Sequence, residues 1–151
     1  MIRRATLNDL KVIVPLFDQY MVFYNKPSNF ELHTNYLRER LEKGEAIIFL
    51  AFNFNEEEKK KAIGFTLIYT TFSKVSLGKV LTLNDLFVEL AYRERGYGEA
   101  LIKRTIEQAR QMGAIRVGLE TAKDNFSAQQ LYHKMGFVRE EEFLAYNLPI
   151  G

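Results

Sequence analysis

No cysteine and no tryptophan occur among the 151 residues, and there are only two histidines and three prolines. Without thiols, disulfides, thiolate metal sites and a cysteine nucleophile are excluded. His33 and His133 are too few and too far apart in the chain for a metal cluster, so no metal is expected. An excess of one charge is also missing. The 21 basic residues meet 19 acidic ones for a net charge of +2, and Lys and Arg are scattered rather than grouped with aromatics, so no nucleic-acid partner is expected. Long apolar runs are absent too. The start, MetIleArgArgAla followed by polar residues, reads as neither a signal peptide nor a membrane span, which leaves a cytoplasmic protein with no membrane partner as the expectation. What is present is 47% apolar residues, ample for the core of one domain over 1–151.

The first half of the chain reads as a short strand at Ile2 to Ala5, then two helices. Thr6 offers a cap with Asp9 three residues on, and Leu10, Ile13, Leu16, Phe17, Tyr20, Met21 and Tyr24 follow a helical period. Pro15 inside that run predicts a kink or a break. Ser28 with Glu31 repeats the capping pattern before a second helix that Gly44 ends. Tyr20, Phe23, Tyr24 and Phe30 crowd this segment, which suits either core packing or cation–π contact with an ammonium group.

From Ala46 the texture is β. IleIlePheLeuAlaPhe and AlaIleGlyPheThrLeuIleTyrThrThr make a hairpin around a solvated charged turn, GluGluGluLysLysLys at 56–61. A third run, Val80 to Glu89, leads into a turn and a helix carrying Leu101, Ile102, Ile106, Ala109 and Met112 on one face. A strand at Ile115 to Thr121, a helix at about Phe126 to Met135 and a last β run near Glu142 to Leu148 complete the pattern. The fold expected is a mixed α/β sheet, antiparallel early and partly parallel late, with helices on both faces.

Two stretches carry the chemistry. In the first, ArgGluArgGlyTyrGly at 93–98 joins a strand to a helix. Gly96 and Gly98 allow a tight turn, and the first free amides of the helix face outward with the positive end of its dipole behind them, which suits a phosphate or pyrophosphate. The third glycine of a dinucleotide fingerprint is missing, and the turn follows about the fourth strand, so a Rossmann reading is poor. In the second, AspAsnPheSerAlaGlnGlnLeuTyrHisLysMetGlyPhe at 124–137 sets Asn125 and Tyr132 seven residues apart on one helix face. Tyr132 there is either a half-buried core residue or a proton donor at the mouth of a cleft.

The two stretches, in this order and about thirty residues apart, resemble the GCN5-related N-acetyltransferase (GNAT) superfamily. Arg93, Gly96 and Gly98 match its Gln/Arg-x-x-Gly-x-Gly/Ala element. Asn125, Ala128, Leu131, Tyr132, Lys134, Gly136 and Phe137 match the second element, and the likeness spans roughly 46–146. Gly64, Phe65, Tyr69, Gly78, Lys79 and Asp85 look like the spermidine/spermine (diamine) acetyltransferase branch, although Asn84 stands where that branch carries a Glu.

The resemblance implies a GNAT fold with a splayed cofactor cleft and direct transfer of an acetyl group from acetyl-coenzyme A, as cosubstrate, to an amine. It implies that the segment Arg93, Arg95, Gly96, Tyr97, Gly98, Glu99 and Ala100 holds the pyrophosphate. The main chain of Phe87 and Val88 would pair with the pantetheine arm, Asn125 would contact it, and Tyr132 would protonate the departing thiolate. Attack by the amine builds negative charge on the thioester oxygen, for which an amide near Val88 is a sensible donor. The amine must also lose a proton. Asp85 and Glu89, four apart on one strand face, are candidate bases, directly or through water, and Asp85 with Asn84 and Tyr24 is a candidate acceptor site. The acceptor expected is a small-molecule amine of polyamine, diamine or amino-acid type. A peptide acetyltransferase and a weakly catalytic acyl-coenzyme A sensor are the alternatives, and a homodimer follows by analogy with the branch.

Overall fold

The structure, a computed structural model, describes residues 1–54, 60–73 and 75–151, with the backbone alone at position 54. Of the charged turn expected at 56–61, positions 56–59 lie outside the described residues. Two units, Met1–Glu120 and Thr121–Gly151, are taken separately.

In the first unit β1 (Ile2–Arg4), β2 (Ala46–Phe54), β3 (Lys60–Ser73), β4 (Gly78–Val88) and β5 (Arg116–Leu119) form one sheet in the order β1-β2-β3-β4-β5. The first four pair antiparallel, and β5 joins β4 in parallel, which is the mixed, mostly antiparallel sheet expected. Helices α1 (Leu10–Phe23) and α2 (Phe30–Glu42) cover one face, where Ile13, Leu16, Phe17 and Leu37 meet Ile48, Leu50, Phe65, Leu67 and Phe87. On the other face Leu101 and Ala109 of α3 (Tyr97–Gln111) meet Ile47, Phe49, Ala51, Ile68 and Leu81. β2 thus feeds both cores by simple alternation, which explains its unbroken apolar run. Burying each large side chain is worth about 1.5–3 kcal/mol, so a polar residue in place of Phe49 or Leu50, both fully buried, would weaken the sheet by at least that much.

Local signals set most helix ends. The Thr6 amide donates to Asp9 Oδ2 at 2.8 Å, and a single 3₁₀ turn (Leu7–Asp9) leads into α1. Of the kink or break expected at Pro15, the break does not occur: α1 runs through it as one helix. The ring costs about 3 kcal/mol in a helix interior, and the buried stripe of Ile13, Val14, Leu16 and Phe17 outweighs it. The cap of α2 is Asn29, whose Oδ1 accepts from the Leu32 amide at 3.0 Å. Ser28, the cap expected, instead donates its hydroxyl to Asp18 Oδ2 at 2.6 Å. Among the described residues no helix is long and apolar enough to cross a membrane.

The second unit carries α4 (Phe126–Lys134), closed at both ends. Asn125 Oδ1 accepts from the Ala128 amide at 3.2 Å. At the far end the Gly136 amide reaches His133 O at 3.1 Å and the Phe137 amide reaches Tyr132 O at 3.0 Å, the two bonds of a Schellman cap. Gly136 supplies the required φ of +95°. The β run expected at Glu142 to Leu148 does not form: the segment has no regular structure, and Phe143, Leu144, Tyr146 and Leu148 are exposed. A strand needs a neighbour to take up its amides, and this unit offers none.

Candidate active site

A β-bulge builds the acceptor side of the first unit. Leu67 of β3 faces Asp85 of β4 and Ile68 faces Leu83, so Asn84 has no partner and is exposed. An extra residue flips the alternation that follows it. Leu81 packs with α3, whereas Phe87, six residues on, packs with α1 and α2; the bulge has sent Asp85 and Phe87 to the opposite face. There Asp85 is only 8% exposed. Burial raises its carboxyl above the usual carboxylate range, and the Tyr20 hydroxyl and the Asn84 side chain pull it only part of the way back. Tyr20 is itself pushed up, first by burial and then by the neighbouring Asp85 charge. Its ring lies 4.8 Å from that of Tyr24 and 6.2 Å from that of Phe87, which walls the carboxylate with aromatic faces. A carboxylate with a raised pKa inside such a wall is suited to hold or deprotonate an ammonium group.

Beyond the bulge, one edge of β4 pairs with no strand among the described residues of the first unit. Its pairing with β5 ends at Leu83 opposite Leu119, while the pairing with β3 continues to Val88. The Glu89 amide donates to Ile63 O and Phe87 lies in register with Phe65, so ladder parity gives the polar groups of Phe87 to β3. Those of Leu86 and Val88 face the open edge. Arg93 occupies part of it, donating Nε to Val88 O at 2.8 Å with its guanidinium over the rings of Phe23 and Phe87. Gly64 permits the close approach of β3 and β4 here, since a Cβ on it would stand 2.8 Å from Phe87 O.

The turn after β4 presents a helix N-terminus. Gly96 caps α3 at φ +86° and has no side chain to bond the first turn, and the Ala100 amide takes Gly96 O at 3.0 Å as a helical bond. Tyr97, Gly98 and Glu99 make up that first turn, a ready site for an anion. The Tyr97 hydroxyl donates to Asn53 Oδ1 at 3.1 Å, pinning the turn to β2. Arg95 stacks its guanidinium over Tyr92 at 5.5 Å. These are residues a pyrophosphate and an extended arm would fit: a helix first turn without a side-chain cap and, among the described residues, a strand edge without a paired strand, in sequence.

Other expected site residues are less concentrated. Glu89 lies past the end of β4, where its carboxylate stands 3.9 Å from Lys61 Nζ. Tyr24 is about half exposed at the end of α1. Asn125 and Tyr132 belong to the second unit, where Asn125 caps α4 and the Tyr132 ring meets Phe137 edge-on at 5.9 Å. Sequence reading placed Tyr20 among crowded aromatics but missed it as the partner of Asp85, because the bulge that brings them together leaves no periodic signal. Among the described residues no group of three or more His, Cys, Asp or Glu is placed to hold a metal.

An N-acetyltransferase is the class that this sheet, bulge and uncapped helix define. Residues 13–137 match the model of the acetyltransferase (GNAT) family, and the chain belongs to that family. It is 38% identical over 149 residues to YhfO of Bacillus subtilis (strain 168), an uncharacterized N-acetyltransferase, covering 99% of this chain and 97% of that protein. A solved structure described as a probable acetyltransferase superposes with a TM-score of 0.91 at 36% identity, covering 100% of this chain and 98% of that one. A ribosomal-protein-alanine N-acetyltransferase from Brucella melitensis biovar Abortus 2308 shares the fold, with a TM-score of 0.76 at 17% identity over 99% of both chains.

Proposed function

We propose that the chain moves an acetyl group from acetyl-coenzyme A directly to the primary amine of a small molecule of polyamine, diamine or amino-acid type. The observation that carries this is Asp85, a buried carboxylate re-aimed by the Asn84 bulge toward an aromatic cluster on the strand that runs to the α3 turn. Acetyl-coenzyme A supplies an activated thioester. In the transfer the amine nitrogen forms a bond to the acyl carbon, the carbon–sulfur bond breaks, the nitrogen gives up a proton and the sulfur takes one.

This chain's residues divide that work. Asp85, directly or through water, receives the proton of the ammonium group, and Tyr20 and Tyr24 wall the amine in. Glu89 is left as an ion-pair partner of Lys61 and carries no step. The Val88 amide, on the open edge of β4, is the donor for charge on the thioester oxygen. The first-turn amides of Tyr97, Gly98 and Glu99, with Arg95 beside them, take the pyrophosphate. Asn125 and Tyr132 are assigned from the superfamily resemblance, Asn125 to the cosubstrate arm and Tyr132 as proton donor to sulfur. The whole chain acts as one N-acetyltransferase domain.

Thiol release from acetyl-coenzyme A over a panel of polyamines, amino acids, aminoglycosides and peptides tests the reading, with Tyr132→Phe alongside. Turnover of small amines is expected, with Tyr132→Phe slowed about 10²-fold or more and cofactor affinity little changed. Activity confined to peptides would move the acceptor to protein, and tight cofactor binding without turnover of any amine would overturn the proposal.

A further inference from the structure

On the face of the sheet that holds Asp85, a cavity of about 380 Å³ opens between α2 and β3, lined by Tyr36, Arg40, Gly44, Glu45, Tyr69 and Thr70. Its wall is set by a hydrogen bond between the hydroxyls of Tyr36 and Tyr69 and by the Arg40 guanidinium lying over the Tyr36 ring at 5.0 Å. Tyr69 stands two residues beyond Leu67, which faces Asp85 across the ladder, so the cavity begins about 7 Å along the strand from the proposed amine site. The Tyr69 hydroxyl is raised by burial and by its bond to Tyr36. It also feels the Asp85 charge from one side and the opposing Arg40 charge from the other.

The charges around Arg40 balance, Arg40 and Lys43 against Glu39 and Glu45, but one donor of Arg40 is unused. Its Nη2 pairs with Glu39 at 3.0 Å, and Glu39 in turn holds Lys43 at 2.6 Å. Its Nε is buried and makes no hydrogen bond among the described residues, with Glu45 Oε1 at 3.6 Å as an ion-pair neighbour beyond bonding reach. The Glu45 side chain is half exposed, whereas a buried donor without an acceptor is costly until one arrives. A second ammonium brought into the cavity could give that donor no acceptor; a carboxylate could supply one, against the charge of Glu45 beside it.

We propose that this cavity takes the carboxylate of an acceptor whose amine reaches Asp85, which makes the acceptor an ω-amino acid rather than a plain diamine. This rests on the amine-acetylating reading above and narrows it. The span from Asp85 past Tyr69 to Arg40 requires several methylenes between the two ends, so lysine-like compounds fit and glycine-like ones do not.

Matched pairs of acceptors decide it: 6-aminohexanoate against hexylamine, and L-lysine against cadaverine, each by thiol release with acetyl-coenzyme A. The carboxylated member is expected to show a KM about tenfold lower or better, the worth of one charge-assisted pair. Arg40→Gln erases that advantage, Arg40→Lys keeps part of it, and neither changes the KM of hexylamine. Equal KM values within a pair, a preference for cadaverine, or an Arg40→Gln effect shared by both members would overturn the inference. If no amine is turned over, the transfer reading fails on its own account. Calorimetry of 6-aminohexanoate on the protein loaded with coenzyme A then reads the cavity separately. Binding that Arg40→Gln abolishes upholds the carboxylate site, and no binding removes it.

Discussion

Arg93 donates Nε to the carbonyl of Val88 at 2.8 Å, and that bond ties the turn before α3 to the last residue of β4. The arginine of the sequence motif therefore works inside the protein, setting the distance between the open strand edge and the helix N-terminus. Arg93→Gln is expected to raise the KM for acetyl-coenzyme A several-fold, up to about tenfold, as one charged hydrogen bond is lost. The pH profile of turnover should stay as it was. Unchanged KM in steady-state kinetics would mean the turn holds its place without the bond.

On the proposed function, Asp85 links activity to instability. Its folded pKa is raised, so the folded chain keeps this proton to a higher pH than the unfolded chain does. Stability is thus unaffected below the ordinary carboxylate value of about 4, falls as pH climbs through the raised value, and is level above it. Asp85→Asn removes that loss. The variant should melt above the parent at about pH 7, converge with it near pH 4, and lose about 10²–10⁴ in kcat/KM. Melting curves across pH check the first part; a gap that stays constant with pH would contradict it.

Asp18 behaves oppositely. Burial would raise its pKa, but the Ser28 hydroxyl, the Asn29 amide and His33 Nδ1, at 2.6, 2.9 and 2.8 Å, outweigh burial and hold it below the usual range. Its contribution is present above the unfolded pKa and is lost as pH falls through the lowered folded value. Asp9, brought to about 2 by the Arg3 guanidinium, adds to the same acid limb. Asp18→Ala should cost about 2–4 kcal/mol at neutral pH and flatten, without abolishing, the fall in melting temperature below about pH 4. Exchange of the Asn29 amide should quicken in the variant, since Asp18 Oδ1 is its acceptor.

The elements were legible where one residue type has one physical meaning. The apolar β-type run over Ala46 to Phe52 marked a strand, which the structure buries on both faces, and Gly44 marked the end of a helix through its left-handed backbone. Much of the Asn125 to Phe137 motif is capping, with Asn125 at one end and Gly136 and Phe137 at the other. Where two neighbours were equally able to act, the sequence was ambiguous: Ser28 and Asn29 are both capping types, and the position of Asp18 decided between them. The expected strand near Glu142 failed for a related reason, because an alternating apolar run makes a strand only where another strand lies beside it.

The strand, glycine turn and amphipathic helix around Val88 to Gln111 were determined by the sequence alone, because backbone sterics and hydrophobic periodicity act over a few residues. The face to which Asp85 turns was decided only in the tertiary structure. Period two puts Asp85 and Phe87 together but also groups them with Leu81; the unpaired Asn84 breaks that count, and an insertion into a ladder exists only relative to the strand it pairs with. That single slip of register carries the carboxylate away from α3 and sets it against Tyr20.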